Sequence, residues 1–186
     1  SVSELISYSM DKGDKQISEF VNPARIKGMK ILMLNDGNDI WFYSPRTARA
    51  RKIASNQKGE SVNVSDFSYE DMSSKDLRKK YDYKLEREEK IKNKECYKIV
   101  LTAKTEDLTY KKMEIFVDKV TFVTIVALMY DKTITLWKKL EVDNIVKQGN
   151  YFVPEKVIMS DVIKGSKTIM EMKKISLTLE EVFLEL

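Results

Sequence analysis

The run Tyr81-Asp82-Tyr83-Lys84-Leu85-Glu86, answered a few residues later by Cys96-Tyr97-Lys98-Ile99-Val100-Leu101, decides the fold class. In the first half Tyr81, Tyr83 and Leu85 alternate with Asp82, Lys84 and Glu86. In the second, Tyr97, Ile99 and Leu101 alternate with Cys96, Lys98 and Val100. A period of two sends successive side chains to opposite faces, so each run predicts a strand with one apolar and one wet face. The pattern recurs downstream. Met113, Ile115 and Val117 alternate with Glu114, Phe116 and Asp118, while Ile134, Leu136, Leu140 and Val142 oppose Thr135, Trp137, Lys139, Glu141 and Asp143. Between such runs lie Asn35-Asp36-Gly37-Asn38, Lys147-Gln148-Gly149-Asn150 and Lys164-Gly165-Ser166, short connections of the hairpin kind. Consecutive strands are therefore expected to pair antiparallel. Ser1 to Met10 also reads as a strand, and the one clear helix follows the capping sequence Ser73-Ser74-Lys75-Asp76, over Leu77-Arg78-Lys79-Lys80.

The chain has 186 residues, ordinary for one domain, and neither a repeat nor a Pro- or Gly-rich linker interrupts it; a single domain over 1–186 is expected. Its 33 basic and 29 acidic residues are interspersed, which describes a mildly basic surface without a polyanion-binding tail. The longest apolar stretch, Phe122 to Tyr130, is far short of the roughly 20 residues that span a bilayer as a helix. No signal-like segment follows Ser1, so export would depend on a leader removed from this stretch. Cys96 is the only cysteine, which excludes an intramolecular disulfide.

Histidine is absent, and with it the His-based triads and zinc sites. Carboxylate clusters exist at Asp36 with Asp39 and at Asp66 with Glu70 and Asp71, but in stretches that read as turns or helix starts. Ser55 and Lys58 match Ser-x-x-Lys without either partner motif of the acyl-serine enzymes. The six glycines are scattered singly and form no phosphate loop. No catalytic residue, metal site or cofactor is expected.

About ten strands with apolar faces need comparable apolar cover, which one short helix cannot supply. A long sheet also twists and coils, so its apolar face tends to become the inside of a barrel or half-barrel. Met33, Met113, Met129, Met170 and Met172 are inward candidates whose flexible thioethers adapt to differing apolar shapes, although such residues also serve as plain core filler.

The segments DGNDIWFYSP (36–45), PRTARARKI (45–53) and SDFSYEDM (65–72) together resemble the outer-membrane lipoprotein-sorting family, the LolA/LolB-like proteins, and occur in that family's order. FVDK (116–119), YFVPEKVIM (151–159) and Glu181-Val182-Phe183 extend the resemblance over nearly the whole chain. After FVDK the chain departs from the family: Val120-Thr121-Phe122-Val123-Thr124 stands where an acidic residue and Leu-Pro are more usual. The resemblance implies a mainly β (α+β) fold, a large curved antiparallel sheet forming an unclosed half-barrel with few short helices as cover. It further implies non-catalytic binding of lipid, acyl chains or a lipoprotein, with transport or sorting toward the outer membrane, in the periplasm or cell envelope.

On that reading Met33, Phe42, Ile115, Met129, Leu136, Met170 and Met172 are the candidate cavity wall. Arg46, Arg49 and Arg51 form a small basic cluster. It could fix a loop by pairing with Asp66, Glu70 or Asp71, or meet lipid head groups or an acidic partner at the cavity mouth. Expected partners are a lipid or acylated protein, with an inner-membrane exporter or outer-membrane acceptor, and the chain is expected to be a monomer. Trp41, Phe42 and Tyr43 beside the arginines permit a nucleic-acid reading, but strand aromatics usually pack against neighbours, and no nucleic acid is expected as partner. The competing class is an envelope sensor or accessory subunit of a lipid exporter, receiving a partner protein in the same concavity.

Overall fold

The structure, a computed structural model, describes residues 2–10, 14–63, 65–73 and 76–174. It divides into two compact units, one running through Asp76 and the other beginning at Leu77.

The first unit is a five-stranded antiparallel meander of β1 (Glu4–Met10), β2 (Lys15–Asn22), β3 (Lys30–Leu34), β4 (Asp39–Ser44) and β5 (Arg49–Lys52), with spatial order equal to chain order. The turn between β3 and β4 is the predicted Asn-Asp-Gly-Asn segment. Asn35, Asp36 and Gly37 all take left-handed φ values of 56°, 54° and 74°, a region these residue types tolerate. One face of the sheet carries Phe20, Ile31, Met33 and Ile40, which pack with Ile26, Ile53, Val62 and Tyr69 into a buried cluster. The cover comes from residues 53–73, a connection without long helix: a 3-10 turn at Ser55–Gln57, then a narrow loop closed by Val62 N–H donating to the Phe67 carbonyl at 2.8 Å. Its family-like segment Asp66-Phe67-Ser68-Tyr69-Glu70 is buried throughout. The Asp71 carboxylate accepts from both the backbone N–H and the hydroxyl of Ser68, at 2.8 and 2.7 Å, which folds the loop onto the sheet.

The second unit opens with a single helical turn, α1 (Leu77–Lys80), and continues as a seven-stranded antiparallel sheet. Its strands are β6 (Tyr81–Ile91), β7 (Lys94–Ala103), β8 (Lys112–Asp118), β9 (Thr124–Tyr130), β10 (Leu136–Gln148), β11 (Tyr151–Asp161) and β12 (Ser166–Glu171). They too lie in chain order, joined by tight turns; Lys92 and Asn93, both at positive φ, make the two-residue link of β6 to β7. The fold is thus mainly β, antiparallel and unclosed, with its strands divided between two open sheets.

Three turns in this unit share one device. Asp118 accepts from Lys94 Nζ at 2.7 Å, Thr121 Oγ1 at 2.8 Å and the Val120 N–H at 3.1 Å, so the departure from the family pattern after FVDK folds as an Asp-capped turn. Asp161 likewise accepts from the N–H groups of Ile163 and Lys164 and from the Trp137 indole. Asp131 holds Thr133 and Thr135. Burial pushes the Asp118 and Asp161 carboxyls up, but these donors outweigh it and hold both below the ordinary value of 3.8.

The expected wet face of β7 and β8 is not wet. Cys96, Phe116, Ile125 and Val126 form a second buried cluster there. Lys98, also buried, reaches Glu86 at 2.8 Å and Glu114 at 3.0 Å. A buried cation is tolerable when paired, and the hydrogen bond to Glu86 is the main reason its pKa rises.

Candidate functional site

Both faces of the five-stranded sheet are apolar, and only one is covered by the 53–73 loop. On the other, register aligns Ile17, Leu32 and Trp41 across β2, β3 and β4, and next to them Lys30, Tyr43 and Ala50 across β3, β4 and β5. With Leu34 these residues line an open groove of about 530 Å³, almost wholly apolar, within the usual size range of small-molecule sites. The central strands make this possible because Lys30-Ile-Leu-Met-Leu34 and Asp39-Ile-Trp-Phe-Tyr-Ser44 are apolar at odd and even positions alike. Trp41 remains 37% exposed, its indole open to solvent. Charges stand at the rim: Lys30 pairs with Glu19 at 3.3 Å, and Lys52 pairs with Asp39 while lying 6.0 Å from the Trp41 ring centre. The hydrogen bond from Lys52, then that from Asn35, holds the Asp39 carboxyl below its ordinary value.

The expected wall residues separate into three groups. Met33 is 2% exposed and belongs to the cluster beneath the loop, with Phe42 packed against it; both point away from the groove because they alternate with Leu32, Leu34, Trp41 and Tyr43. Ile115 and Met129 share one face of the seven-stranded sheet with Ile99, Leu101 and Leu140. Met170 joins them through Val157 and Val142, and Met172 follows beyond β12; Met129, Leu101, Met113, Val142 and Met159 on this face are buried, whereas Ile115, Leu140 and Met170 are half-buried. Leu136 lies on the reverse side. A β-bulge between Leu136 and Lys138 sets Leu136 opposite Tyr130 and Lys138 opposite Met129, so the simple alternation from Leu136 to Leu140 breaks. Ile134 sits in the turn before β10 at φ 61°.

Arg46, Arg49 and Arg51 are exposed on and beside β5, and the expected pairing with Asp66, Glu70 and Asp71 does not occur among the described ion pairs. Arg51 instead stacks over Phe42 at 5.6 Å from the ring centre. Phe42 in turn meets Tyr69 edge-on. No group of three or more Cys, Asp or Glu side chains suited to a metal ion occurs among the described residues. No described helix is long and apolar enough to cross a membrane, which leaves strand-built crossings unaddressed.

The groove residues Ile17, Leu32 and Leu34 escaped the sequence reading, and Trp41 and Tyr43 entered it only as stacking platforms in the nucleic-acid reading. Their signal was the unbroken apolar run in β3 and β4, which marks a strand with two apolar faces rather than one.

Comparison with known proteins agrees with this architecture. A family model described as "Uncharacterized protein"-like matches residues 12–185. The chain belongs to that family, and it has a LolA-like fold. A domain described as an outer-membrane lipoprotein-sorting protein from Vibrio parahaemolyticus superposes with a TM-score of 0.87 at 24% identity, covering 96% of this chain and 79% of its own. A DUF1329 family protein from Desulfovibrio piger gives 0.82 at 28% identity, with 91% and 74% coverage. A LolA superfamily protein from Nitrosomonas europaea gives 0.70 at 20% identity, with 92% and 84%. No curated protein matches the chain. The LolA-like fold spans both compact units.

Proposed function

We propose that this chain binds an acyl chain, carried by a lipid or an acylated protein, in the groove of the five-stranded sheet, and does so in the cell envelope without covalent chemistry. The observation that supports it is the groove itself: an open, apolar concavity with charges only at the rim. Each methylene moved from water into such a surface gains roughly 0.8 kcal/mol, so a long chain is held without any bond being made. On the larger sheet Ile115 and Met170 are half-buried beside the buried Met129, so that face is a second apolar surface open only in part. The family and its relatives span both units, which supports treating the chain as one lipid-binding domain. Release calls for an acceptor, such as a membrane exporter or an outer-membrane receiving protein.

The test is native mass spectrometry of protein purified from a bacterial host, with organic extraction of whatever co-purifies, followed by uptake of a fluorescent fatty acid. Ala50 is exposed on an edge strand, so Ala50→Glu places a carboxylate in the groove with little cost to folding. The expected result is bound lipid in the wild-type chain and its loss in Ala50→Glu at unchanged circular dichroism. A wild-type chain that carries no lipid and takes up no fatty acid refutes the assignment and turns it toward a protein-binding sensor.

A further inference from the structure

The antiparallel meander brings the end of β2, the start of β3, the end of β4 and the start of β5 to one end of the five-stranded sheet. Two connections meet there, and they are side by side: a methyl group built on Gly28 would touch the Pro45 ring at 3.6 Å. The segments involved, Asn22-Pro-Ala-Arg-Ile-Lys-Gly-Met29 and Pro45-Arg-Thr-Ala-Arg-Ala-Arg-Lys52, contain no carboxylate at all. They present Arg25, Lys27, Arg46, Arg49 and Arg51, every one exposed. Among the described residues Arg25, Lys27, Arg46, Arg49 and Arg51 enter no ion pair with a carboxylate, and Arg51 lies over the Phe42 ring with Tyr69 within reach of its charge. The carboxylates at the same end are already taken, Glu19 by Lys30 and Glu4 by a partner of its own.

Unpaired cations gathered from two separate segments onto an exposed surface fit a laterally extended anionic surface better than a small anion. Single-stranded nucleic acid would want exposed aromatic platforms between the cations. Here Phe42 is covered by Arg51, and Tyr43 turns to the groove side. The groove begins at this same end, through Lys30, Tyr43 and Ala50. A bilayer is the one anionic surface that also offers apolar chains.

We propose that this basic end of the five-stranded sheet docks the protein on an anionic phospholipid surface. The choice of a bilayer over other polyanions rests on the acyl-binding reading; the cation cluster does not. Docking sets the groove mouth at the head-group level, where a chain can pass between membrane and protein without crossing water.

The test is flotation of the full chain with vesicles of pure phosphatidylcholine and of phosphatidylcholine mixed with phosphatidylglycerol, at low and high salt. Binding is expected only to the anionic vesicles and should weaken as salt screens the cations. Each cation contributes about a fivefold factor to such partitioning, so Arg25→Gln, Arg46→Gln and Arg49→Gln combined should weaken it on the order of a hundredfold. These side chains are exposed and unpaired, so the triple variant is expected to keep its circular dichroism spectrum and its fatty-acid uptake. Equal binding to neutral vesicles, an unaffected triple variant, or displacement of the vesicles by equimolar poly-glutamate or oligonucleotide would overturn the proposal. Ala50→Glu separates the two readings: it should lose fatty-acid uptake and weaken vesicle binding only about fivefold, the effect of one charge, against on the order of a hundredfold for the triple variant. Wild-type protein that floats with anionic vesicles but takes up no fatty acid leaves docking standing and removes the acyl-binding function.

Discussion

Replacing Lys98 by methionine should cost about 2 kcal/mol of stability. The side chain is buried, its Nζ lies 2.8 Å from Glu86 and 3.0 Å from Glu114, and its charge sits 5.9 Å from the Phe116 ring. Breaking a fully buried ion pair by removing one partner costs about 3–5 kcal/mol, because the survivor is left charged in a poor solvent. Here the full cost is not reached. Glu86 is 41% exposed and keeps Arg87, while Glu114, at 13%, keeps Lys112 at 2.5 Å. Methionine also restores apolar contact with Phe116. Burial pushes the Glu114 carboxyl up, and the hydrogen bonds from Lys112 and Lys98 together overcome it. Taking one away should move that pKa toward the ordinary value. Removing both charges as Lys98→Met with Glu114→Leu leaves Lys112 and Glu86 partly in water, so the double variant should return to within about 1 kcal/mol of wild type. Urea unfolding midpoints at constant slope are the assay. A single variant within about 0.5 kcal/mol of wild type, or a double variant worse than the sum of the singles, refutes the reasoning.

Asp118→Asn should lower stability at neutral pH and flatten its acid dependence. The depressed carboxyl contributes stability that is present above its ordinary value of 3.8 and is lost as pH falls below that toward the folded value. Urea midpoints at about pH 6 and about pH 3 should therefore differ more in wild type than in the variant. Gly37→Ala should be more damaging than Gly165→Ala. Both positions have positive φ, +74° and +69°, but a Cβ on Gly37 would come within 2.6 Å of the Ser73 Cβ, whereas one on Gly165 meets nothing within 4 Å. Losses of about 2–3 and about 1 kcal/mol are expected, and equal thermal shifts would show that the 53–73 loop does not bear on the turn. Ile115→Lys should leave the groove's fatty-acid uptake intact while abolishing any binding on the larger sheet's apolar face, read by stoichiometry in native mass spectrometry.

The antiparallel, mainly β fold was legible because period-two alternation and Asn, Asp and Gly turns are local signals, and even β1 could be read from Val2, Leu5, Ile6 and Tyr8. What escaped was set by register. Leu136 looks equivalent to Leu140 in sequence, and one bulged residue sends it to the other face. Lys98 looks like a solvent-facing lysine until Glu86 and Glu114 arrive from neighbouring strands. The methionine argument selected Met33, which is inward indeed, but inward under a loop. The real groove is lined by its immediate neighbours Leu32 and Leu34. The arginine cluster was visible as a cluster, whereas its lack of carboxylate partners depended on where the 53–73 loop put Asp66, Glu70 and Asp71.

The two tryptophans stand one in each unit. Trp41 lies open in the groove, and Trp137 donates its indole N–H to the buried Asp161 at 3.1 Å beside the ring of Tyr110. The molecule therefore carries its own optics. With Trp137 replaced by phenylalanine, the remaining emission belongs to the groove alone: red when the indole faces water, blue when a chain lies across it, and quenched by a brominated lipid that comes within contact.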